Sequence, residues 1–170
     1  YAENANNLVE YDASADYTIG LATTPLASSA TFVLIRESTA VSNTTNKRID
    51  YRVAGKVTTG TTPTVDTEIR LGAYGSMNDT PEYPDVFVGT DGDRTLTNTQ
   101  IAEKIKYIDT TRVSATSNID YPFNAPMTIA EFFGLVPKQH GIYVTHNTGV
   151  ALNSTAANHK ISYTGAYFSI

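Results

Sequence analysis

The chain has 170 residues, enough for one domain with a substantial hydrophobic core. Hydrophobic residues make up 41 % of the sequence and charged residues only 17 %, so long disordered stretches are not expected. The net charge is −5, cysteine is absent and no block of Lys or Arg occurs. These features exclude a disulfide framework, a thiolate metal site and a flexible basic arm for nucleic acid.

The uncharged polar residues favour an all-β protein. Threonine and the 11 tyrosines suit half-exposed pleated surfaces, while asparagine and the 11 glycines suit turns between strands. No apolar run is long enough to span a bilayer. We therefore predict one mainly β domain over 1–170, an antiparallel two-sheet sandwich of jelly-roll type with one or two short helices.

The N-terminal third begins with a polar segment, 1–7, which we predict to be a flexible lead-in. Two short apolar pieces follow at 8–11 and 17–21. The segment "ATFVLIR" at 30–36 is the first strong strand candidate, and it is apolar enough to be buried on both faces.

The clearest alternation of apolar and charged residues lies in two neighbouring segments, 47–60 and 64–74. The turn-forming "TGTTP" between them predicts a hairpin with one core face and one charged face. Like charges directly opposite each other are unfavourable. The predicted register therefore places Arg52 opposite Glu68 and Asp50 opposite Arg70.

A long polar connection follows at 75–95, with a short strand predicted at 85–89. Five acidic residues precede its first base: Asp79, Glu82, Asp85, Asp91 and Asp93. Closely spaced acids can bind calcium, but "DGDRTLTN" does not have the glycine and terminal glutamate of a complete EF-hand loop. A solvated acidic loop is the commoner outcome of such a sequence.

Helical periodicity appears at 97–108, where isoleucines recur at i, i+4 and i+7. Thr97 and Gln100 fit a capping box at its start, and Thr128 with Glu131 form a second candidate. The helix at 97–108 could end early, because "KYIDTTRVSATS" also reads as a strand. A second polar loop is expected at 109–126.

The C-terminal segment contains strand candidates at 141–146, 149–152 and 159–170. His140 and His146 share one face of the first of these strands and lie roughly 20 Å apart if it is extended. They cannot bind one metal ion without a sharp bend, so we interpret them as strand ends beside the turn at 147–149. His159 could approach His146 if the terminal strands pair.

No nucleophile elbow, P-loop or dinucleotide fingerprint is present. Asp66 and Glu68 lie two apart beside Arg70, which predicts ion pairing rather than acid–base chemistry. We therefore assign no catalytic, cofactor-binding or metal-binding residue, and we predict that the chain is not an enzyme.

The whole strand pattern resembles that of viral coat proteins, in two versions. The size, the Thr-, Asn- and Tyr-rich strands, the missing basic arm and the last strand "ISYTGAYFSI" resemble the single jelly-roll capsid proteins of tailless icosahedral phages. The order of "TFVLIRESTAV", "NKRIDYRVAGKV", "TVDTEIRLGAY" and "NTQIAEKIKYI" over 31–108 is similar to the coat proteins of single-stranded RNA phages. In that family, however, the chain ends where this one continues with strands.

The resemblance implies a structural virion protein, a repeating subunit that self-assembles and contacts other shell subunits. We expect the contacts to use the loops at 75–95 and 109–126 and the terminal segments 1–11 and 159–170. Two alternatives place the chain outside the cell or on its surface: a pilus or adhesin subunit, and a carbohydrate-binding sandwich. The tyrosines favour sugar binding, but the chain lacks tryptophan.

Overall fold

The computed structural model describes residues 9–104 and 106–168 of the chain, so the predicted lead-in at 1–7 lies outside the described residues. The described strands are β1 (Val9–Tyr11), β2 (Ala15–Asp16), β3 (Leu34–Glu37), β4 (Val41–Ser42), β5 (Asp50–Thr58), β6 (Glu68–Ser76), β7 (Gly92–Thr95), β8 (Tyr107–Arg112), β9 (Asp120–Asn124), β10 (Gln139–His146) and β11 (Lys160–Phe168). The helices are α1 (Thr99–Lys104) and α2 (Ile129–Phe133). The predicted mainly β class is confirmed.

The strands form two antiparallel sheets. Sheet I has the order β1-β11-β5-β9, with β2 also paired to β11. Sheet II has the order β7-β3-β10-β6-β8, with β4 also paired to β10. Eight strands remain when the short β2 and β4 and the edge strand β7 are set aside. If these eight are counted from 1 to 8 in chain order, sheet I has the order 1-8-3-6 and sheet II the order 2-7-4-5. This is the strand order of a jelly roll, in which successive strands pass repeatedly between two sheets.

The main core lies between the sheets, and the alternation along each strand determines which residues enter it. Sheet I contributes Tyr51, Val53 and Val57, and sheet II contributes Ile69 and Leu71; all are buried. The core faces predicted by alternation are thus confirmed within β5 and β6. Ile49 and Val65, which the same alternation assigns to the core and which precede these strands, are instead 41 and 56 % exposed.

The outer face of sheet II is also covered, by the connection between β6 and β8, which includes β7 and α1. A second apolar cluster fills this layer: Phe32, Ile35, Tyr74, Phe87, Leu96, Ala102 and Tyr143. Two of these tyrosines lie across a glycine of the neighbouring strand, Tyr143 opposite Gly72 and Tyr74 opposite Gly141. A Cβ on Gly72 would lie 2.2 Å from the Tyr143 ring, so glycine is required for this packing.

The predicted hairpin of 47–60 with 64–74 is wrong. β5 belongs to sheet I, where it pairs with β11 and β9, and β6 belongs to sheet II, where it pairs with β10 and β8. The predicted charge pairs do not form: Arg52 lies opposite Thr164, and Arg70 lies opposite Thr145 and Thr110. The connection at 59–67 therefore crosses between the sheets, and Thr62 and Asp66 adopt positive φ angles within it.

Three local predictions near the middle of the chain also need correction. Residues 85–89 form no strand, since Asp85 has a positive φ and Phe87 packs into the outer cluster as part of a loop. The helix at 97–108 is shorter than predicted, because α1 ends at Lys104 and β8 begins at Tyr107. Half of the expected loop at 109–126 is strand, and the connection between β8 and β9 is 113–119.

The two helix starts differ from each other. The first turn of α1 is capped by Asn98, whose Oδ1 accepts from the Ile101 N–H at 3.0 Å, and the Thr97 hydroxyl instead donates to Asp85. The predicted capping box of α2 is confirmed in both directions. The Thr128 hydroxyl accepts from the Glu131 N–H, and the Glu131 carboxylate accepts from the Thr128 N–H.

Candidate functional site

The two histidines of β10 lie at its two ends, as the sequence predicted, and both are fully buried. His140 contacts the aromatic rings of Tyr51 and Tyr17, with centroid distances of 4.5 and 6.2 Å. Neither of its ring nitrogens has a hydrogen-bond partner among the described residues. Burial lowers the pKa of His140 to about 4, so the ring is neutral near pH 7.

His146 differs because both of its ring nitrogens have partners. Nε2 donates to the Leu26 carbonyl and Nδ1 lies 2.9 Å from the Thr148 hydroxyl. Burial still lowers the pKa of His146 to about 4. His159 lies elsewhere: β10 and β11 belong to different sheets, so the suggested approach of His159 to His146 does not occur. His159 donates instead to the Asn153 carbonyl.

The acidic stretch 79–93 does not converge on one point. Asp91 and Asp93 bind the Arg36 guanidinium, Asp79 binds Lys138, and Asp85 accepts from Thr97. Within 9–104 and 106–168, no three His, Asp or Glu side chains come together as a metal site would require. The acids of this stretch therefore fix the connection between β6 and β8 to the sandwich and to α1.

The predicted ion pair at the start of β6 is present. The Arg70 guanidinium lies 2.7 Å from Glu68 and stacks over the Phe32 ring at 3.6 Å from its centroid. Asp66 lies 4.0 Å from the Arg112 guanidinium. Both carboxylates thus lie beside bases, which supports a structural role for them.

Sequence reasoning missed a polar cleft of about 320 Å³ at the margin of the sandwich. Its walls come from the segment around β2, from the connection between β3 and β5, and from the inward faces of β5 and β11. Three tyrosines line it: Tyr17, Tyr51 and Tyr163. No local signal links these residues, because they come from three distant segments that only the jelly-roll topology brings together.

The tyrosines of the cleft pack against one another. The Tyr163 ring lies 4.7 Å from the Tyr17 ring and 5.9 Å from the Tyr51 ring, measured between centroids. Burial raises the pKa of Tyr51 to about 12 and that of Tyr17 well above its ordinary value, so both hydroxyls keep their protons. The Tyr51 hydroxyl donates to Asn43 at 2.8 Å. The Tyr17 hydroxyl is buried without a hydrogen-bond partner among the described residues.

A second feature lies at the edge of sheet I, where the described segments nearest the two chain ends meet. β1 pairs with the end of β11, so that Val9 is opposite Phe168 and Tyr11 is opposite Ala166. Val9, Tyr11 and Phe168 are 47, 57 and 58 % exposed. We call these three residues the terminal patch. No described strand pairs with the outer edge of β1.

Neither described helix has the length and apolar character needed to cross a membrane. Comparisons with protein-family models, curated proteins and solved structures gave no match for this chain.

Proposed function

We propose that this chain is a structural virion protein, a repeating subunit that forms a capsid shell together with other copies and other shell subunits. The observation that carries the proposal is the terminal patch on the open edge of a jelly-roll sandwich. Jelly rolls occur in viral capsids, but also in lectins and cupins, so the fold alone is not sufficient. The proposal therefore depends on the ability of the open edge of sheet I to bind a neighbouring subunit.

The edge of sheet I has two properties that favour association. β1 leaves backbone N–H and C=O groups on one side without a described partner strand, and such groups can pair with another chain. Val9, Tyr11 and Phe168 add apolar side chains beside that edge. An edge of this kind is suited to contact with a neighbouring subunit.

The rest of the outer surface of sheet I is polar, which also favours the terminal patch as the place where subunits meet. Arg52 is exposed, and Lys56 forms an ion pair with Asp120 at 2.6 Å. Charged and hydrated faces associate less readily than an apolar edge, because their charges must be desolvated. Contacts between subunits should therefore involve the terminal patch more than the central face.

Between the two coat-protein resemblances, the topology favours the single jelly roll. The similarity to RNA-phage coat proteins depended on a hairpin between β5 and β6, and these strands lie in different sheets. In this proposal the subunit does not bind the packaged genome, since its net charge of −5 gives little attraction to phosphate.

The test is assembly of the full chain, followed by sedimentation velocity and negative-stain microscopy over a range of protein concentrations. We expect closed particles or large oligomers, alone or with the natural co-subunits. A variant with Val9→Ser, Tyr11→Ser and Phe168→Ser should remain folded but assemble at least ten-fold less readily. Val65→Ser serves as a matched control, since Val65 is 56 % exposed and lies in the separate 59–67 connection.

Two outcomes would overturn the proposal. A protein that stays monomeric at high concentration with its co-subunits present is not a shell subunit. Open filaments in place of closed particles would favour the pilus or adhesin alternative.

A further inference from the structure

We infer that the cleft lined by Tyr17, Tyr51 and Tyr163 is a binding site for a neutral polyhydroxylated ligand, a single pyranose unit of a glycan. This inference goes beyond assembly and does not depend on it. The size of the cleft is suitable, because about 320 Å³ lies at the lower end of the range for small-molecule pockets.

The composition of the wall argues for a neutral ligand. The described residues that line the cleft include no lysine, arginine or histidine, which disfavours a phosphate, sulfate or carboxylate ligand. One carboxylate faces the cleft, that of Asp12, whose side chain is 32 % exposed. Asp16 also borders the cleft, but its carboxylate is bound to Ser162 and Lys160 on the outer face of sheet I. Asp12 makes the cleft an acceptor of hydrogen bonds.

A metal cation fits the Asp12 carboxylate poorly. Asp12 is bound through both oxygens by the Arg48 guanidinium, at 2.5 and 2.6 Å. Its charge is therefore already matched by a base. Each carboxylate oxygen has more than one lone pair, so Asp12 can still accept from ligand hydroxyls.

The tyrosines supply the second half of the recognition chemistry. A tyrosine offers an apolar ring face and a polar hydroxyl, a combination that suits a sugar, which has C–H faces and O–H edges. Tyr163 is half-buried on the cleft wall, and no described residue hydrogen-bonds its hydroxyl. Thr18, Thr39 and Ser42 also line the cleft and carry hydroxyl groups.

The Tyr17 hydroxyl lies beneath the cleft wall and does not face the cleft. Tyr17 forms part of the wall and is only 5 % exposed, and its hydroxyl is buried without a partner among the described residues. Buried polar atoms without partners are rare in folded proteins, and an ordered water is one way to satisfy them. A ligand in the cleft therefore contacts the wall at Tyr17 without a hydrogen bond to this hydroxyl.

The test uses saturation-transfer NMR on the full chain, which works for a free subunit and for an assembled particle. The neutral probes are methyl α-D-glucopyranoside, methyl α-D-mannopyranoside and methyl β-D-galactopyranoside, and N-acetylneuraminic acid is the anionic control. We expect transfer to at least one neutral glycoside and none to the acid. Tyr163→Phe, which removes one neutral hydrogen bond, should weaken binding about five-fold.

A second variant and a control complete the experiment. Asp12→Asn should weaken binding about ten-fold, since hydrogen bonds to a charged acceptor are stronger than those to a neutral one. Asp66→Asn removes a carboxylate 77 % exposed outside the cleft and should leave binding unchanged. The inference is overturned if no neutral glycoside receives saturation, if the sialic acid binds equally well, or if neither cleft variant weakens binding. Loss of assembly would not alter any of these results.

Discussion

The two buried histidines of β10 should make the protein strongly sensitive to mild acid. An unfolded histidine has a pKa near 6.5, and burial lowers the pKa of His140 and of His146 to about 4. Between these values the unfolded chain binds more protons than the folded chain. The free energy of unfolding is therefore largest above about pH 6.5 and falls as the pH drops towards 4.

The size of the effect follows from the two pKa values. Between pH 7 and pH 5, each histidine should remove about 2 kcal/mol from the free energy of unfolding. Both sites together should remove about 4 kcal/mol, a large part of the 5–15 kcal/mol that typically stabilises a domain. His159, whose pKa is also lowered by burial, acts in the same direction.

The assay is urea unfolding at several pH values between 7 and 5, on the wild type and on His140→Met. Methionine has a similar volume and suits contact with the Tyr51 ring. It removes two ring nitrogens that have no partner among the described residues, so stability at pH 7 should change little. The fall in stability between pH 7 and pH 5 should shrink by about 2 kcal/mol.

His146→Met provides the comparison. This variant should also reduce the fall in the free energy of unfolding between pH 7 and pH 5 by about 2 kcal/mol. In contrast to His140→Met, it should lower the free energy of unfolding at pH 7 by about 1–3 kcal/mol, because the Leu26 carbonyl and the Thr148 hydroxyl lose their partner. An unchanged pH dependence in His140→Met would refute the assignment of acid sensitivity to the buried ring.

Three further substitutions test other parts of the structure. Asn98→Ala should cost about 1 kcal/mol by thermal unfolding because it removes the cap of α1, and an unchanged midpoint would disprove the cap. Gly72→Ala should lower the free energy of unfolding in urea by about 1–3 kcal/mol, because its Cβ would meet the Tyr143 ring. A smaller residue at position 143 should recover part of this stability. Arg94→Met should cost about 3–5 kcal/mol at pH 7, since it leaves the fully buried Glu37 carboxylate without its base; a loss below 1 kcal/mol would show that Glu37 is not ionised there.

The sequence predicted the individual strands better than their partners. Alternation along 50–58 and 68–76 determines which side chains enter the core, and the structure confirms those faces. Alternation does not determine which strands pair with each other in a sheet. The pairing of β5 with β11 joins residues about a hundred positions apart, and no local pattern encodes it.

Charge complementarity was misleading for a physical reason. The hairpin register was chosen so that Glu68 would face a base on the other strand. In the structure Glu68 binds Arg70, two residues along the same strand and on the same face. Because an ion pair can be satisfied within one strand, charges on an alternating segment give little information about its neighbour.

The edge strand β7 was missed because it lacks an apolar face. Its sequence, "GDRT", is polar, and the strand is held at the edge by Arg94 bound to Glu37 and by Asp93 bound to Arg36. The apolar "DVFV" nearby predicted a strand instead, but its Phe87 fills the outer cluster from a loop. The cleft could not be predicted at all, since its tyrosines come from three distant segments that meet only when sheet I forms.

The crossing between β5 and β6 can be tested directly with charge reversal. Arg52 projects from the outer face of sheet I and Glu68 from the opposite outer face of sheet II, so two sheets about 10 Å apart lie between them. We expect Arg52→Glu and Glu68→Arg to change the free energy of unfolding additively, within about 0.5 kcal/mol.

In a hairpin with these residues opposite each other, each single change would oppose like charges and the double change would restore the pair. Glu68→Arg with Arg70→Glu is the matched control, because those side chains are in contact and reversal of both should recover stability lost in either alone. Recovery in the Arg52 and Glu68 double variant would contradict the jelly-roll crossing and restore the hairpin.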